Sequence, residues 1–194
     1  MDTEILDEAL KCPACIISVM GDHAGEGIEA IFARKSADIQ RTGKTFWLMR
    51  SPKARPSQVQ EICKAGAAYA IFVEPASKGG ARPTTADAAA KEFSADKTLW
   101  QPLPEGISRV TGKLDGGATA LVFDRMATTS GRALDLWGYG DATDIQKPLK
   151  FALGCSTVCA VRNDTSPHPD RMTSRYRAIV AVARLAKPYG VWVR

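Results

Sequence analysis

Histidine is scarce in this chain, with two among 194 residues, and a site assembled from several imidazoles is excluded at once. Cysteine numbers five, an odd count that a closed disulfide framework would not leave. No apolar run approaches the roughly 20 residues that a membrane-spanning helix needs. The opening Met1-Asp2-Thr3-Glu4 is acidic, where a secretory leader would place a basic segment ahead of an apolar one. A cytoplasmic protein with free thiols and no membrane span is therefore expected. Repeats and low-complexity tracts are also missing, which argues against solenoid and fibrous architectures.

What is present is ordinary for a globular protein: 45% hydrophobic and 24% charged residues, enough apolar material for a core without staples. The length suits a single domain over 1–194. The formal charge of +5 favours polyanionic partners, namely nucleic acid such as DNA, nucleotides, or an acidic protein partner.

Along the chain, Asp2 to Leu10 reads as a short acidic helix or arm. Cys15 to Met20 is an apolar, β-branched run and reads as a buried strand. A turn over Gly21 to Gly27 follows. Ile28, Ile31, Phe32 and Ile39 then recur at helical spacing, with Arg34, Lys35 and Asp38 on other faces, and Gly43 ends that helix. Thr45 to Met49 is a second strand. Ser57 can cap a helix that turns Val59, Ile62 and Cys63 inward and closes at Gly66. Ala68 to Val73 is a third strand. A helix is expected from Ala86 to about Phe93. In the second half, Ile107–Leu114, Thr119–Asp124, Ala133–Tyr139, Phe151–Val161 and Tyr189–Val193 read as strands, with Gly116-Gly117 as a hairpin turn. Ser174–Leu185 reads as a last helix, or Ala178–Leu185 as a further strand. Asn163–Arg171, with two prolines, reads as a loop. The class expected is α+β (mixed α/β): a mixed sheet with helices against it and a strand-rich second half.

The most informative stretch is Lys78-Gly79-Gly80-Ala81-Arg82-Pro83-Thr84-Thr85, between an expected strand and an expected helix. Paired glycines let backbone N–H groups approach an anion, and the following helix start would add donors and partial positive charge. Lys78 and Arg82 add full charges, Arg82 with two donors for one phosphate. Thr84 or Thr85 can cap the helix or touch a phosphate or its metal. The Walker A order is absent. A surface loop with a capped helix and solvated charges is the competing reading.

Gly79-Gly80-Ala81-Arg82, before an alanine-rich stretch (Ala86, Ala88, Ala89, Ala90), resembles the Gly-x-x-Arg box of the ParB/sulfiredoxin superfamily. The Pro56-to-Ile62 helix lies in a compatible place. Pro83 departs from the pattern, and no cysteine sits inside the box, so a sulfiredoxin-type reductase is not supported. A basic chain of this size resembles the plasmid fertility-inhibition proteins of the oncogenic-suppression type. That resemblance implies nucleotide binding, ATP hydrolysis, DNA cleavage and interference with conjugative DNA transfer.

A second cluster is Asp22, His23 and Glu26, with Glu29, at a strand-to-helix junction where open α/β sheets place sites. Asp22 and Glu26, with Glu29, could hold a divalent ion such as Mg²⁺, and His23 could act as general base for phosphodiester hydrolysis. Asp22 capping the helix above exposed first-turn acids is the alternative. His168, between prolines, reads as exposed, with the alternative that it meets His23 in one site as paired histidines do in phosphodiester chemistry. Cys12-x-x-Cys15 with Cys155-x-x-x-Cys159 formally supplies four zinc ligands, although cysteines are as often buried apolar residues. Cys155 is also a candidate nucleophile for a Cys-dependent hydrolase. Trp47, Trp137 and Trp192 read as core or barrel wall, and Trp100, near Pro102 and Pro104, as partly exposed. Phe46 to Ser51 faintly resembles the opening strand of PUA-like modified-base readers. An exposed tryptophan beside Arg50, Lys53 and Arg55 would suit a non-enzymatic module for modified or single-stranded nucleic acid.

Overall fold

A computed structural model describes residues 3–20, 26–49, 54–64, 66, 68–75, 88–108, 110–112, 114, 117–149, 157–163 and 175–194. Among them are three α-helices, α1 (Thr3–Lys11), α2 (Ile28–Thr42) and α3 (Pro56–Lys64). The first three strands are β1 (Ala14–Val19), β2 (Thr45–Met49) and β3 (Tyr69–Val73). Short strands follow: β4 (Ala88–Ala89), β5 (Glu92–Ser94), β6 (Gln101–Pro102) and β7 (Thr111–Gly112). The remaining strands are β8 (Thr119–Thr128), β9 (Ala133–Asp135), β10 (Tyr139–Asp141), β11 (Asp144–Pro148), β12 (Thr157–Arg162) and β13 (Tyr176–Val193). The fold is α+β, with helices against a mixed sheet and a strand-rich second half.

The sheet runs β11-β10-β12-β1-β3-β13, and beyond β13 lie β8 and β2. β1 and β3 are parallel, and β12 and β13 flank that pair antiparallel. β2 does not sit between β1 and β3 despite its place in the chain: it pairs with β8. Alternation along each strand sorts the core onto two faces. Ile16, Phe72, Leu121 and Cys159 pack under α2 and α3 through Ile31, Phe32, Val59, Ile62 and Cys63. Cys15, Ile17, Ile71 and Val73 face the other way, against Ile5, Leu6 and Ala9 of α1. Beyond β13, the face opposite α2 is covered by Ala90, Val110 and Ala118, packed on Phe46, Val122 and Val191.

Local signals explain the helices. Gly43, at φ 78°, closes α2 with its N–H on Ile39 O at 2.8 Å, a conformation that favours glycine. α3 starts at Pro56, one residue before the expected cap Ser57. Proline suits the first helical position, where no N–H is needed. Gln58 Oε1 accepts the Arg55 N–H at 3.0 Å, half of a capping box. α2 is capped by Gly27 with no side-chain bond, so Asp22 is not its cap.

Several expected elements are different. No helix occupies residues 88–93: β4 and β5 lie there. The Lys91 and Glu92 N–H groups bond Arg194 O at 2.8 and 3.0 Å, and β5 pairs with the end of β13. Those pairings override alanine's helical preference. Within the expected Ser174–Leu185 helix, residues 176–185 are not helical; the alternative strand reading of Ala178–Leu185 holds, extended into β13. Residues 181–184 pair with both β3 and β8, and a helix would leave those neighbours' backbone groups unsatisfied. Ile107–Leu114 shrinks to β7, which pairs with β4 instead of forming a hairpin with β8. Ala133–Tyr139 is interrupted by a 3₁₀ turn at Leu136–Gly138, where Asp135 accepts the Trp137 N–H at 3.1 Å. Residues 151–156 of the expected Phe151–Val161 strand, and the loop 164–171, lie outside the described residues.

Candidate functional site at the carboxyl end of the parallel pair

β1 and β3 run in register from Ile16↔Ala70 to Val19↔Val73, and the Met20 N–H bonds Val73 O at 2.9 Å. β1 and β3 therefore end side by side, β1 ahead of residues 21–25 and β3 ahead of residues 76–87 in the chain. On one side Thr157, the first residue of β12, opposes Ser18, and their buried hydroxyls are 2.9 Å apart. On the other side Ile179 opposes Val73, and the Glu74 N–H bonds Ala178 O at 3.0 Å. The carboxyl end of a parallel pair is where open sheets present ligand crevices.

Of the residues singled out in the sequence, Asp22, His23, Lys78, Gly79, Gly80, Arg82, Thr84 and Thr85 lie outside the described residues. In the chain their segments follow the adjacent strand ends just named. Glu26 is described, and both its carboxylate oxygens are taken by Arg34, Nε at 2.9 Å and Nη2 at 2.5 Å. Arg34 Nη1 continues to Ser108 Oγ at 3.1 Å. A metal ion would have to displace that guanidinium. Among the described residues no group of three or more His, Cys, Asp or Glu is placed to hold a metal. Because 88–93 is extended, the helix start expected to reinforce residues 78–85 is not available from that segment, and the charge there comes from Lys78 and Arg82.

A buried polar cluster lies on α2. Lys35 and Asp38, assigned from the sequence to faces other than the apolar one, are both buried, as their helical spacing from Ile31, Phe32 and Ile39 requires. Asp38 accepts bonds from the Ser108 N–H at 2.8 Å, Ser108 Oγ at 2.6 Å, Thr45 Oγ1 at 2.9 Å and Arg41 Nη2 at 2.9 Å, with Lys35 Nζ at 3.7 Å. Burial alone would raise its pKa, but the Ser108 and Thr45 donors and Lys35 outweigh that and hold the carboxyl below its ordinary range. Burial lowers the Lys35 ammonium to about 8, against the pull of Asp38. With its acceptors filled from three segments, Asp38 acts as a structural latch between α2, β2 and the chain at Ser108.

Arg177 was also missed. It sits second in β13, shares a face with Ile179, and is 4% exposed. Its signal was a single charge at an inward position of an alternating strand, hidden because a helix was also allowed there.

The cysteines separate. Cys15 faces α1 and Cys159 faces α2 and α3, so the four-cysteine zinc set cannot close. Burial raises the thiols of Cys15, Cys63 and Cys159 to about 12. Cys155 and His168 lie outside the described residues. The tryptophans are engaged within the fold: Trp47 stacks on Phe32 at 5.5 Å, while Lys97, Arg194 and Arg175 lie 3.8, 4.0 and 4.9 Å from the ring centres of Trp192, Trp100 and Trp137. Arg55 is exposed, and Arg50 and Lys53 lie outside the described residues. No family model, no curated protein and no solved structure matches the chain.

Proposed function

We propose that the chain binds the phosphates of nucleic acid or nucleotides at the carboxyl end of the β1–β3 pair. The supporting observation is the contact of Met20 with Val73. It starts the segment bearing Asp22 and His23 beside the one bearing Lys78, Gly79, Gly80, Arg82, Thr84 and Thr85. In this reading Lys78 and Arg82 supply the charge, the two glycines supply close amides, and a threonine hydroxyl completes the phosphate contacts. The fertility-inhibition resemblance extends it to DNase or ATPase activity, with His23 as the base that activates water. A bound Mg²⁺ would neutralise phosphate charge, but Glu26 is committed to Arg34 and no step is assigned to an ion.

The test is incubation of the pure protein with end-labelled DNA, and separately with ATP, in Mg²⁺. Hydrolysis lost in His23→Ala and Arg82→Ala supports the enzyme. Tight binding without turnover supports a non-enzymatic module. Neither binding nor turnover removes the proposal.

A further inference from the structure

We infer that Arg177 receives an oxyanion through two adjacent donors, and that its ligand is a small or free-ended phosphate such as that of a nucleotide. The oxyanion follows from Arg177 itself; its being a phosphate rests on the function proposed above.

The first observation is a missing partner. Arg177 is 4% exposed, and its Nε and Nη2 atoms are buried with no hydrogen-bond partner. Burial is what lowers its pKa, and no carboxylate opposes the shift. Seven other described arginines are treated differently. Arg34, Arg41, Arg125, Arg132, Arg175, Arg184 and Arg194 each have a carboxylate within 4.0 Å, although most are far more exposed. A guanidinium cannot shed its proton to escape a dry site, and an uncompensated buried charge is costly. Leucine or methionine would fill this position on β13 with less penalty. The side chain makes better physical sense as half of a pair whose other half is a ligand.

The second observation is which atoms lack partners. Nε–H and the Nη2–H beside it point the same way from one edge of the guanidinium. That edge matches two oxygens of a single phosphate or carboxylate. The third is location. Arg177 shares its face with Ile179, which opposes Val73, the last residue of β3. The guanidinium therefore belongs to the same sheet end as the proposed site. Its burial favours a compact or terminal phosphate over the backbone of a duplex, which cannot follow a side chain below the surface.

Full-length Arg177→Met and Arg177→Lys should be compared with wild type in phosphate-free buffer, by thermal melting and by calorimetric titration with pyrophosphate, ATP and a single-stranded oligonucleotide. We expect Arg177→Met to melt no lower than wild type without anion and to bind pyrophosphate roughly tenfold to a hundredfold more weakly. Arg177→Lys, which keeps the charge and loses the two-donor edge, should lose a similar factor. Pyrophosphate binding that depends on Arg177, with no binding of ATP or oligonucleotide, would uphold the anion site and remove the proposed function. ATP binding equal in wild type and Arg177→Met, yet weakened in Arg82→Ala, would uphold that function and overturn this inference. An Arg177→Met protein that melts lower or fails to fold without anion would also overturn it, because the arginine would then be needed by the fold itself.

Discussion

Replacing Asp38 by asparagine keeps its shape and removes its charge. An amide oxygen at the Oδ1 position can still accept the Ser108 N–H. The amide nitrogen then meets the Thr45 and Ser108 hydroxyls, which can rotate to accept. What cannot be repaired is the environment of the Lys35 ammonium, buried beside the former carboxylate. Removing one member of a buried pair costs about 3–5 kcal/mol, and the possibility of deprotonating Lys35 puts Asp38→Asn near the lower end of that range. Urea unfolding at pH 7 should show this as a lower midpoint with unchanged slope. The double variant Asp38→Asn/Lys35→Met should recover much of the loss, since the buried ammonium that lost the Asp38 charge is then gone as well. A single-variant cost under about 0.5 kcal/mol, or a double variant no better than the single, would refute the latch. The pH dependence has a definite sign. The folded Asp38 pKa is below the ordinary 3.8, so its contribution is present above that value and lost as pH falls through the folded pKa. Lys35 is lowered from 10.5 to about 8. Between those values the unfolded chain holds a proton that the folded one has released, so this lysine makes stability rise with pH across that window.

Gly190→Ala should destabilise the α3–β13 contact, because an added Cβ would lie 3.0 Å from Pro56 Cα and 3.0 Å from Val59 Cβ. The expected cost is about 1–3 kcal/mol, a Tm drop of roughly 2–12 °C; an unchanged melt would show that the helix moves freely. In a Cys155→Ser background, thiol labelling of the native protein at pH 8 should show Cys12 reacting first. Cys15, Cys63 and Cys159, raised to about 12, have roughly one thiolate in ten thousand at that pH. Fast labelling of more than one thiol would contradict their burial.

The first half of the fold was readable in sequence because each element carries its own punctuation. β1 and β3 are continuous apolar runs, as strands buried on both faces must be, and Gly43 and Pro56 mark helix ends. Where partners distant in sequence decide the structure, the reading failed. Residues 88–93 have helical composition but complete the edge of β13, and Ile179-Val180-Ala181-Val182 fits either structure until β3 and β8 flank it. The strand-helix order in the first half does not say which strands pair, and β2, which follows β1 in the chain, joins β8. The polar latch was legible from helical spacing, since Lys35 falls between Ile31 and Ile39 on the apolar face and Asp38 beside Ile31; what the sequence did not show is Ser108 and Thr45, supplied by other segments, which make that burial tolerable. Arg177 stood out once the strand direction was known. The segments bearing most candidate site residues stand out in sequence by glycine and charge, and the shared strand end that precedes them emerged only from the parallel pairing.

The most direct test of the phosphate reading is to titrate ATP and a fluorescent single-stranded oligonucleotide against wild type and Arg82→Ala from about 50 to 200 mM NaCl. Wild-type affinity should fall steadily with salt. Arg82→Ala should bind roughly tenfold more weakly at the lowest salt, with an oligonucleotide salt slope shallower by about 0.7, as for one lost phosphate contact. Superimposable curves for the two proteins would contradict capture of phosphate by that arginine.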